Sequence, residues 1–190
     1  IPIHTVPTVQ RRIVRSCAEE GKRVIVATHL LESMIINPLP TRAEVTDVAN
    51  AVYEEVDAVM LSGETTIGKY PVRCIEQLVN IAENVEKHPG LRFVNKLKTD
   101  SDKQKLSVAA VELAESLGAR CIVVITRRGV MADLVCNCRP VYSNIYAFTN
   151  VSQARRTMTL GRGIRPFRIA FSQDPEKTLQ TAFNVLKERE

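Results

Sequence analysis

The sequence predicts an α/β protein in two parts: the last strands and helices of a TIM-type (β/α)8 barrel, followed by a small three-layer α/β domain. Short β-branched runs alternate with longer segments of helical periodicity along the chain, which is typical of parallel sheets. Polar residues stand where the first two runs end, at Thr28 and at Ser62. In a barrel those strand ends face the mouth of the active site, so the pattern also predicts where chemistry would lie.

The first half is expected to begin with a helix and a strand. The helix covers residues 7–20 and ends at Gly21, because glycine readily adopts the left-handed conformation common at helix ends. The run 23–28 is short and β-branched, as expected of a strand that is buried on both faces of a parallel sheet. Pro38 and Pro40 interrupt the chain after this strand and predict a loop.

The next helix carries a capping signal. Thr41 and Glu44 have the spacing of a capping box, in which a hydroxyl and a carboxylate accept hydrogen bonds from free N–H groups. A strand at 58–61 and a helix from about 72 to 88 follow, an order that suits a right-handed parallel crossover. The inward-facing stripes are expected to be Val45, Val48, Ala49 and Val52 on the first of these helices, and Val72, Ile75, Val79 and Ala82 on the second.

The second half is expected to be a separate domain. The stretch 89–102 is polar and turn-rich, and it predicts a linker between the barrel part at 1–88 and an incomplete α/β domain at 103–190. Asn150 and Asp174 are expected to cap the last two helices. Strands are expected at 121–125, 145–148 and within 165–171, a further helix at 129–137, and inward stripes of Val108, Val111, Ala114 and Leu117, and of Leu179, Phe183 and Leu186.

The composition indicates a folded protein that is suited to anionic ligands. Of its 190 residues, 45% are hydrophobic and 25% are charged, and the net charge is +5. Because the basic residues are scattered and Trp is absent, no nucleic-acid partner is expected. No membrane span and no signal peptide are expected either. The five cysteines, including Cys136 and Cys138 without a nearby His, favour reduced thiols in a cytoplasmic protein over disulfides or zinc.

Hydroxyl groups at the two strand ends form the first candidate site. Thr28 and Ser62 could bind an anionic group of a substrate, although a strand-end hydroxyl that caps a turn has the same pattern. The loop 62–69 is rich in glycine and hydroxyls, but its spacing is not that of a P-loop, and packing against the barrel rim explains it equally well. His29 and Glu32 could form an acid–base pair, while a structural histidine is the simpler interpretation.

The turn after the strand at 121–125 is the second candidate site. It consists of Thr126, Arg127, Arg128 and Gly129. A helix N-terminus with free N–H groups, a hydroxyl and two guanidinium groups suits a phosphate, and a solvated basic turn is the alternative. The sequence shows no Ser-His-Asp order, no dinucleotide glycine fingerprint, no metal cluster and no carboxylate pair placed to hold Mg²⁺.

Several segments closely resemble the pyruvate kinase family, and the resemblance extends over essentially the whole chain. It is densest between residues 21 and 71, in Ala27-Thr28-His29-Leu30-Leu31-Glu32-Ser33-Met34-Ile35, Pro40-Thr41-Arg42-Ala43-Glu44, Asp47-Val48-Ala49-Asn50-Ala51-Val52 and Met60-Leu61-Ser62-Gly63-Glu64-Thr65. In the second half it is carried by Arg139-Pro140, Thr149, Gln153-Ala154-Arg155 and Arg162-Gly163-Ile164.

The resemblance implies transfer of a phosphoryl group from phosphoenolpyruvate to ADP, which gives pyruvate and ATP and uses Mg²⁺ and K⁺. It implies that Thr28 contacts the carboxylate end of the substrate and helps to relay a proton to the enolate. Ser62 and Glu64 match the loop that lines the same pocket. The family's phosphoryl-stabilising Lys, its Mg²⁺-binding Glu and Asp and its lid domain precede the part that this chain matches, so metal ligands are expected outside it.

The resemblance also implies regulation and assembly. The turn from Thr126 to Gly129 matches a loop that binds an effector's phosphate in many relatives, with Met131 where those relatives have a hydroxyl. Relatives are usually tetramers, and the helix at 72–88 and the one after Asn150 are the expected contact faces. The chain is therefore expected to be the C-terminal part of a pyruvate kinase, inactive by itself. The alternative is a non-catalytic module that binds phosphorylated metabolites or a partner.

Overall fold

The computed structural model describes residues 1–189, and the chain forms two compact units. The first runs from Ile1 to Lys98 and the second begins at Thr99. Each is an α/β unit built on a parallel sheet, which confirms the predicted fold class. None of the described helices is long and apolar enough to cross a membrane.

The first unit places helices against a short parallel sheet. Its elements are α1 (Val6–Glu19), β1 (Ile25–Ala27), α2 (Arg42–Tyr53), β2 (Ala58–Met60), α3 (Gly63–Thr66) and α4 (Pro71–Val85), with 3₁₀ turns at Ile3–Thr5, Glu32–Ile35 and Phe93–Lys96. Helix α2 connects β1 to β2 and packs against α4. One core cluster of this unit consists of Leu30, Leu31, Met34, Val48, Cys74 and Leu78.

Strand β1 is less buried than the sequence predicts. Ile25 is 47% exposed, and Val26 and Ala27 are half-buried. Within residues 1–98, β1 pairs with β2 alone, so its other edge has no neighbouring strand. The expectation of a strand buried on both faces is therefore wrong for the described unit, because such burial needs strand neighbours as well as covering helices.

Helix α2 begins as its sequence predicts. The Thr41 Oγ1 atom accepts a hydrogen bond from the Glu44 N–H at 3.3 Å, and the Glu44 carboxylate accepts one from the Thr41 N–H at 2.7 Å. The capping box is thus confirmed. Its apolar stripe also faces inward, with Val48 and Val52 buried.

Helix α4 turns a different face inward from the one predicted. The expected stripe is largely in solvent, since Val72 is 69%, Ile75 47% and Val79 43% exposed. The buried face instead carries Cys74, Leu78, Ile81 and Val85. Both sets have helical spacing, so the periodicity of the sequence cannot choose between them, and packing against α2 and α3 makes the choice.

The first part of the predicted linker packs against the first unit. The 3₁₀ turn Phe93–Lys96 contacts α1, and the Lys98 N–H donates to the Glu19 carbonyl at 2.9 Å. Upstream, the Leu91 N–H donates to the Tyr53 carbonyl at 2.9 Å. The first unit ends at Lys98 and the second begins at Thr99, so the boundary along the chain lies inside the stretch 89–102.

The second unit has three layers around a parallel sheet of order β3-β4-β5. Tyr146 and Phe148 on the central strand pack with Ile169 and with Ala182 of the last helix, while the two helices before that one contact the sheet. The elements are α5 (Asp102–Ser116), β3 (Cys121–Ile125), α6 (Val130–Asn137), β4 (Asn144–Thr149), α7 (Ser152–Met158), β5 (Ile164–Arg168) and α8 (Pro175–Arg189).

Two of the predicted helix stripes in this unit are partly wrong. On α8, Leu179 is 42% and Phe183 46% exposed, whereas Ala182 is fully buried. On the segment of α5, Val111 and Ala114 are buried as expected, but Leu117 is 73% exposed because the helix ends before it, at Ser116. On α8 the buried face therefore lies beside the predicted one, whereas on α5 the predicted face is right and only its last residue falls outside the helix.

The two predicted helix caps in this unit have different outcomes. Asp174 caps α8, since its Oδ1 atom accepts a hydrogen bond from the Glu176 N–H at 3.0 Å. Asn150 does not cap α7, which begins at Ser152 after Val151. No side chain of the described residues caps α7, and the Val151 N–H, just before the helix, donates to Thr149 Oγ1 at 3.1 Å.

Candidate active site

The carboxyl ends of β1 and β2 lie side by side and bring the two predicted hydroxyl positions to one edge of the sheet. Ala27 stands opposite Met60, and the Thr28 N–H donates to the Met60 carbonyl at 3.4 Å. Thr28 therefore directly follows β1, and Ser62 follows β2 by two residues. The Thr28 side chain is exposed, and its hydroxyl donates to the Ala27 carbonyl at 2.6 Å.

The backbone at the end of β1 has an unusual conformation. Thr28 has a φ of 70° and His29 a φ of 53°, so two consecutive residues other than glycine lie in the left-handed region. This region is costly for a β-branched residue such as threonine, because its side chain crowds the backbone. Such a conformation persists only where surrounding contacts enforce it, and it is concentrated at functional sites.

The loops after the two strands share one buried carboxylate. Glu64 is 1% exposed, its Oε1 atom accepts from the Leu31 N–H at 3.0 Å, and its Oε2 atom accepts from the Ser62 N–H at 2.7 Å. The side chain therefore joins the Thr28 loop to the Ser62 loop. It faces backbone N–H groups, although the sequence analysis assigns it to the lining of a pocket.

Burial by itself would raise the pKa of Glu64, because an ionised carboxylate loses its hydration inside a protein. Three backbone N–H groups, those of Glu64, Ser62 and Leu31, act in the opposite direction, as does the nearby His29. The net result is a pKa below the usual carboxyl value. Glu64 is therefore ionised at neutral pH and accepts charge-assisted hydrogen bonds.

A second carboxylate holds the same loop further along. Glu44 accepts from the N–H and from the hydroxyl of Ser33, each at 2.6 Å, in addition to closing the capping box with Thr41. Burial alone would raise the pKa of Glu44, but the hydrogen bonds from Ser33 and Thr41 lower it overall. The N-terminus of α2 is thus tied to the loop that follows β1.

These lowered pKa values predict acid sensitivity of the first unit. A carboxyl that titrates below its unfolded value of 4.5 stabilises the fold above that pH and loses the contribution as pH falls through the folded value. We expect the free energy of unfolding to fall as the pH drops below the unfolded value of 4.5, and Glu44→Gln to flatten that dependence. Urea unfolding over this pH series measures it, with Glu76→Gln on the exposed face of α4 as control. An equal slope in wild type and Glu44→Gln would contradict the assignment.

A cleft of about 650 Å³ opens beside Thr28, between α1 and α2. Thr28 and His29 line it, and so do Arg11 and Glu54. Glu54 is 2% exposed and accepts from Arg11 Nε at 3.1 Å. Sequence analysis missed this pair, because no motif marks Glu54 and only the fold brings α1 against the end of α2. His29 Nδ1 lies against a carboxylate oxygen of Glu32, and both side chains are exposed, an arrangement that suits either of the two interpretations.

The residues of this edge do not fit a divalent metal ion. Among the described residues, no group of three or more His, Cys, Asp or Glu side chains is placed to hold one. Both oxygens of Glu64 already accept backbone hydrogen bonds.

The turn after β3 is the second candidate site. Thr126 is buried, and its Oγ1 atom accepts from the Gly129 N–H at 3.2 Å. Gly129 has a φ of 87°, a conformation that favours glycine, and the Thr149 hydroxyl donates to the Arg127 carbonyl at 2.9 Å. Arg127 and Arg128 are exposed just before α6 begins. The Thr126 and Thr149 hydroxyls therefore hold the turn from its buried side, while the two guanidinium groups face solvent.

Two family models match the chain in sequence order. The model described as pyruvate kinase, barrel domain, matches residues 1–75, and the model described as pyruvate kinase, alpha/beta domain, matches residues 104–190.

Curated relatives and solved structures agree with these matches. Pyruvate kinase isozyme A, chloroplastic, from Ricinus communis is 39% identical over all of this chain, and the match covers 34% of the relative. Pyruvate kinase from Clostridium perfringens is 34% identical, again over all of this chain and 41% of the relative. The crystal structure of a pyruvate kinase from Cryptosporidium parvum superposes with a TM-score of 0.93 at 31% identity, covering 99% of this chain and 39% of that one. The chain thus spans about one third to less than half of the length of these relatives.

Proposed function

Because the chain belongs to the pyruvate kinase family, we propose that it is the C-terminal part of an enzyme that transfers a phosphoryl group from phosphoenolpyruvate to ADP. The products are pyruvate and ATP. The observation that carries the proposal is the pair of family matches, which follow each other in the family's own domain order over both units. In this proposal the full-length enzyme is the longer protein that contains these residues.

In this proposal Thr28 serves the second half of the reaction. Loss of the phosphoryl group from phosphoenolpyruvate leaves the enolate of pyruvate, whose carbon must then accept a proton. The Thr28 hydroxyl contacts the carboxylate end of the substrate and helps to relay that proton. Its exposure at the carboxyl end of β1 supports this role, as does the neighbouring Ser62 loop.

The metal ions of the reaction are proposed to be bound elsewhere. In phosphoryl-transfer enzymes Mg²⁺ supplies positive charge that stabilises the transferred phosphoryl group. K⁺ is proposed as a second cation because the family resemblance implies it. The described residues offer no cluster for such an ion, so we assign its ligands to segments outside this chain. The residues present here would bind and orient the organic part of the substrate.

If the metal ligands lie outside this chain, the 190-residue chain alone should produce no pyruvate from phosphoenolpyruvate and ADP. The expected rate equals that of a control without protein, because the metal ligands and the phosphoryl-stabilising cation are missing. A lactate-dehydrogenase-coupled assay measures it, with the full-length enzyme as the positive control. Turnover by the 190-residue chain would refute the assignment of the metal ligands to segments outside it. A full-length protein without turnover would favour the alternative of a binding module.

Regulation and assembly are further parts of the proposal. The turn of Thr126, Arg127, Arg128 and Gly129 is proposed to bind the phosphate of an effector, since its two guanidinium groups face solvent at a helix start. The exposed apolar side chains of α4 support a homo-oligomer, and we propose a tetramer. A cytoplasmic location stays a prediction, because several of the curated relatives are named as chloroplastic.

A further inference from the structure

Glu64 connects the loop that follows β1 to the loop that follows β2. Its side chain is among the largest that are fully buried, and each carboxylate oxygen accepts from the backbone of a different loop. The carbonyl of the same residue accepts from the buried thiol of Cys74 on α4 at 3.7 Å. The backbone carbonyl of Glu64 is therefore bonded to α4, while its carboxylate is bonded to the loops that follow β1 and β2.

The bond to Leu31 lies three residues after Thr28, next to the left-handed pair Thr28 and His29. The backbone from Thr28 onward reaches the buried core at Leu30 and Leu31, which are 4% and 0% exposed. With β1 fixed on one side and Leu31 on the other, the residues between them have little freedom to relax to negative φ. The position of the Thr28 hydroxyl is therefore set by β1 before it and by the Leu31–Glu64 hydrogen bond after it.

We propose that Glu64 is a positioning residue, which holds the Thr28 loop against the Ser62 loop and so fixes the Thr28 hydroxyl for the carboxylate end of phosphoenolpyruvate. Glu64 does not contact the substrate in this arrangement, because its oxygens are occupied by the N–H groups of Leu31 and Ser62. This inference rests on the proposed function of the chain and adds a residue that acts through Thr28.

Replacing Glu64 by glutamine removes half of this connection. The amide keeps the shape of the side chain, but its NH₂ group cannot accept a hydrogen bond, so either the Leu31 or the Ser62 N–H loses its partner. Loss of a hydrogen bond to a charged group corresponds to about tenfold or more in an equilibrium constant. In the full-length enzyme we expect Glu64→Gln to raise the Kd for phosphoenolpyruvate in the presence of Mg²⁺ about tenfold and to leave the KM for ADP unchanged within about twofold.

A double-mutant cycle separates positioning from general destabilisation. If Glu64 acts through the Thr28 hydroxyl, Glu64→Gln should weaken phosphoenolpyruvate binding by less than about twofold once Thr28→Ala is already present. Isothermal titration calorimetry with phosphoenolpyruvate and Mg²⁺ gives the four dissociation constants without requiring turnover. If the double mutant raises the Kd for phosphoenolpyruvate by the product of the two single-mutant factors, the substitutions act independently and the proposal is overturned.

Glu44→Gln is the matched control. Glu44 also accepts hydrogen bonds from the loop after β1, but at Ser33, beyond the buried Leu31. We expect it to lower the Tm and to leave the Kd for phosphoenolpyruvate within about twofold. An increase as large as that of Glu64→Gln would show that loosening the loop anywhere is sufficient, which also overturns the specific role of Glu64.

Hydrogen exchange on the wild-type enzyme covers the case in which Glu64→Gln does not fold. The amides of Leu31 and Ser62 should exchange slowly and to a similar extent, since both donate to one buried carboxylate. Rapid exchange at either amide would refute the connection. The proposed function is tested separately by wild-type turnover: an active wild type with an unchanged Glu64→Gln Kd rejects only the positioning role, whereas an inactive wild type rejects the function itself.

Discussion

Thr28→Ala in the full-length enzyme is expected to lower kcat for pyruvate formation about 10²- to 10⁴-fold, the range by which a positioned proton-transfer group accelerates a reaction. The hydroxyl is exposed at the carboxyl end of β1, and alanine removes it without adding bulk. Steady-state kinetics with varied phosphoenolpyruvate measures the change. Stability should not fall, because the substitution removes a β-branched side chain from a backbone with a φ of 70°.

Thr28→Ser is the control for this experiment. Serine keeps the hydroxyl and loses only a methyl group, so kcat should stay within about tenfold of the wild-type value. The alternative interpretation is that the hydroxyl only satisfies the Ala27 carbonyl, to which it donates at 2.6 Å. In that case Thr28→Ala would leave kcat nearly unchanged, and the proposed role of Thr28 would be rejected.

The second large effect is expected from Phe148→Ala, which should lower the free energy of unfolding by about 3–5 kcal/mol. Phe148 is fully buried on the central strand β4 of the second unit, and its ring lies 5.3 Å from that of Phe167. Removing it loses apolar burial and leaves a cavity that the surrounding sheet and helix cannot fill completely. Urea unfolding monitored by circular dichroism measures the change.

Phe183→Ala is the matched control, since it removes the same side chain from α8. Phe183 is 46% exposed, so the expected loss is below about 1 kcal/mol. The helical periodicity of the sequence predicts Phe183 on the inner face of α8, which would give both substitutions a similar cost. The comparison therefore tests which face of α8 packs against the sheet.

The order of strands and helices was predictable because each local signal has a local physical cause. The run Cys121–Ile125 forms the predicted strand, and the Thr41–Glu44 capping box and Asp174 act on N–H groups a few residues away. The positions of Thr28 and Ser62 at one sheet edge followed from the same order, since parallel strands end on the same side. Family motifs in the first half then indicated the chemistry of that edge.

The inner faces of α4 and α8 were not predictable in the same way. Each helix has apolar side chains at helical spacing on more than one face, so Val72 and Phe183 satisfy the pattern as well as Leu78 and Ala182 do. The choice depends on neighbours that are distant in sequence.

By itself the sequence determined the α/β class, most element boundaries and the family, because periodicity, capping and motif spacing are encoded over short stretches of chain. Tertiary structure alone decided which faces of α4 and α8 are buried and what Glu64 does. The Glu64 carboxylate meets the Leu31 N–H 33 residues away, a contact that exists only when β1 and β2 pair. Its burial, its ionised state and its hold on the Thr28 loop all follow from that long-range pairing.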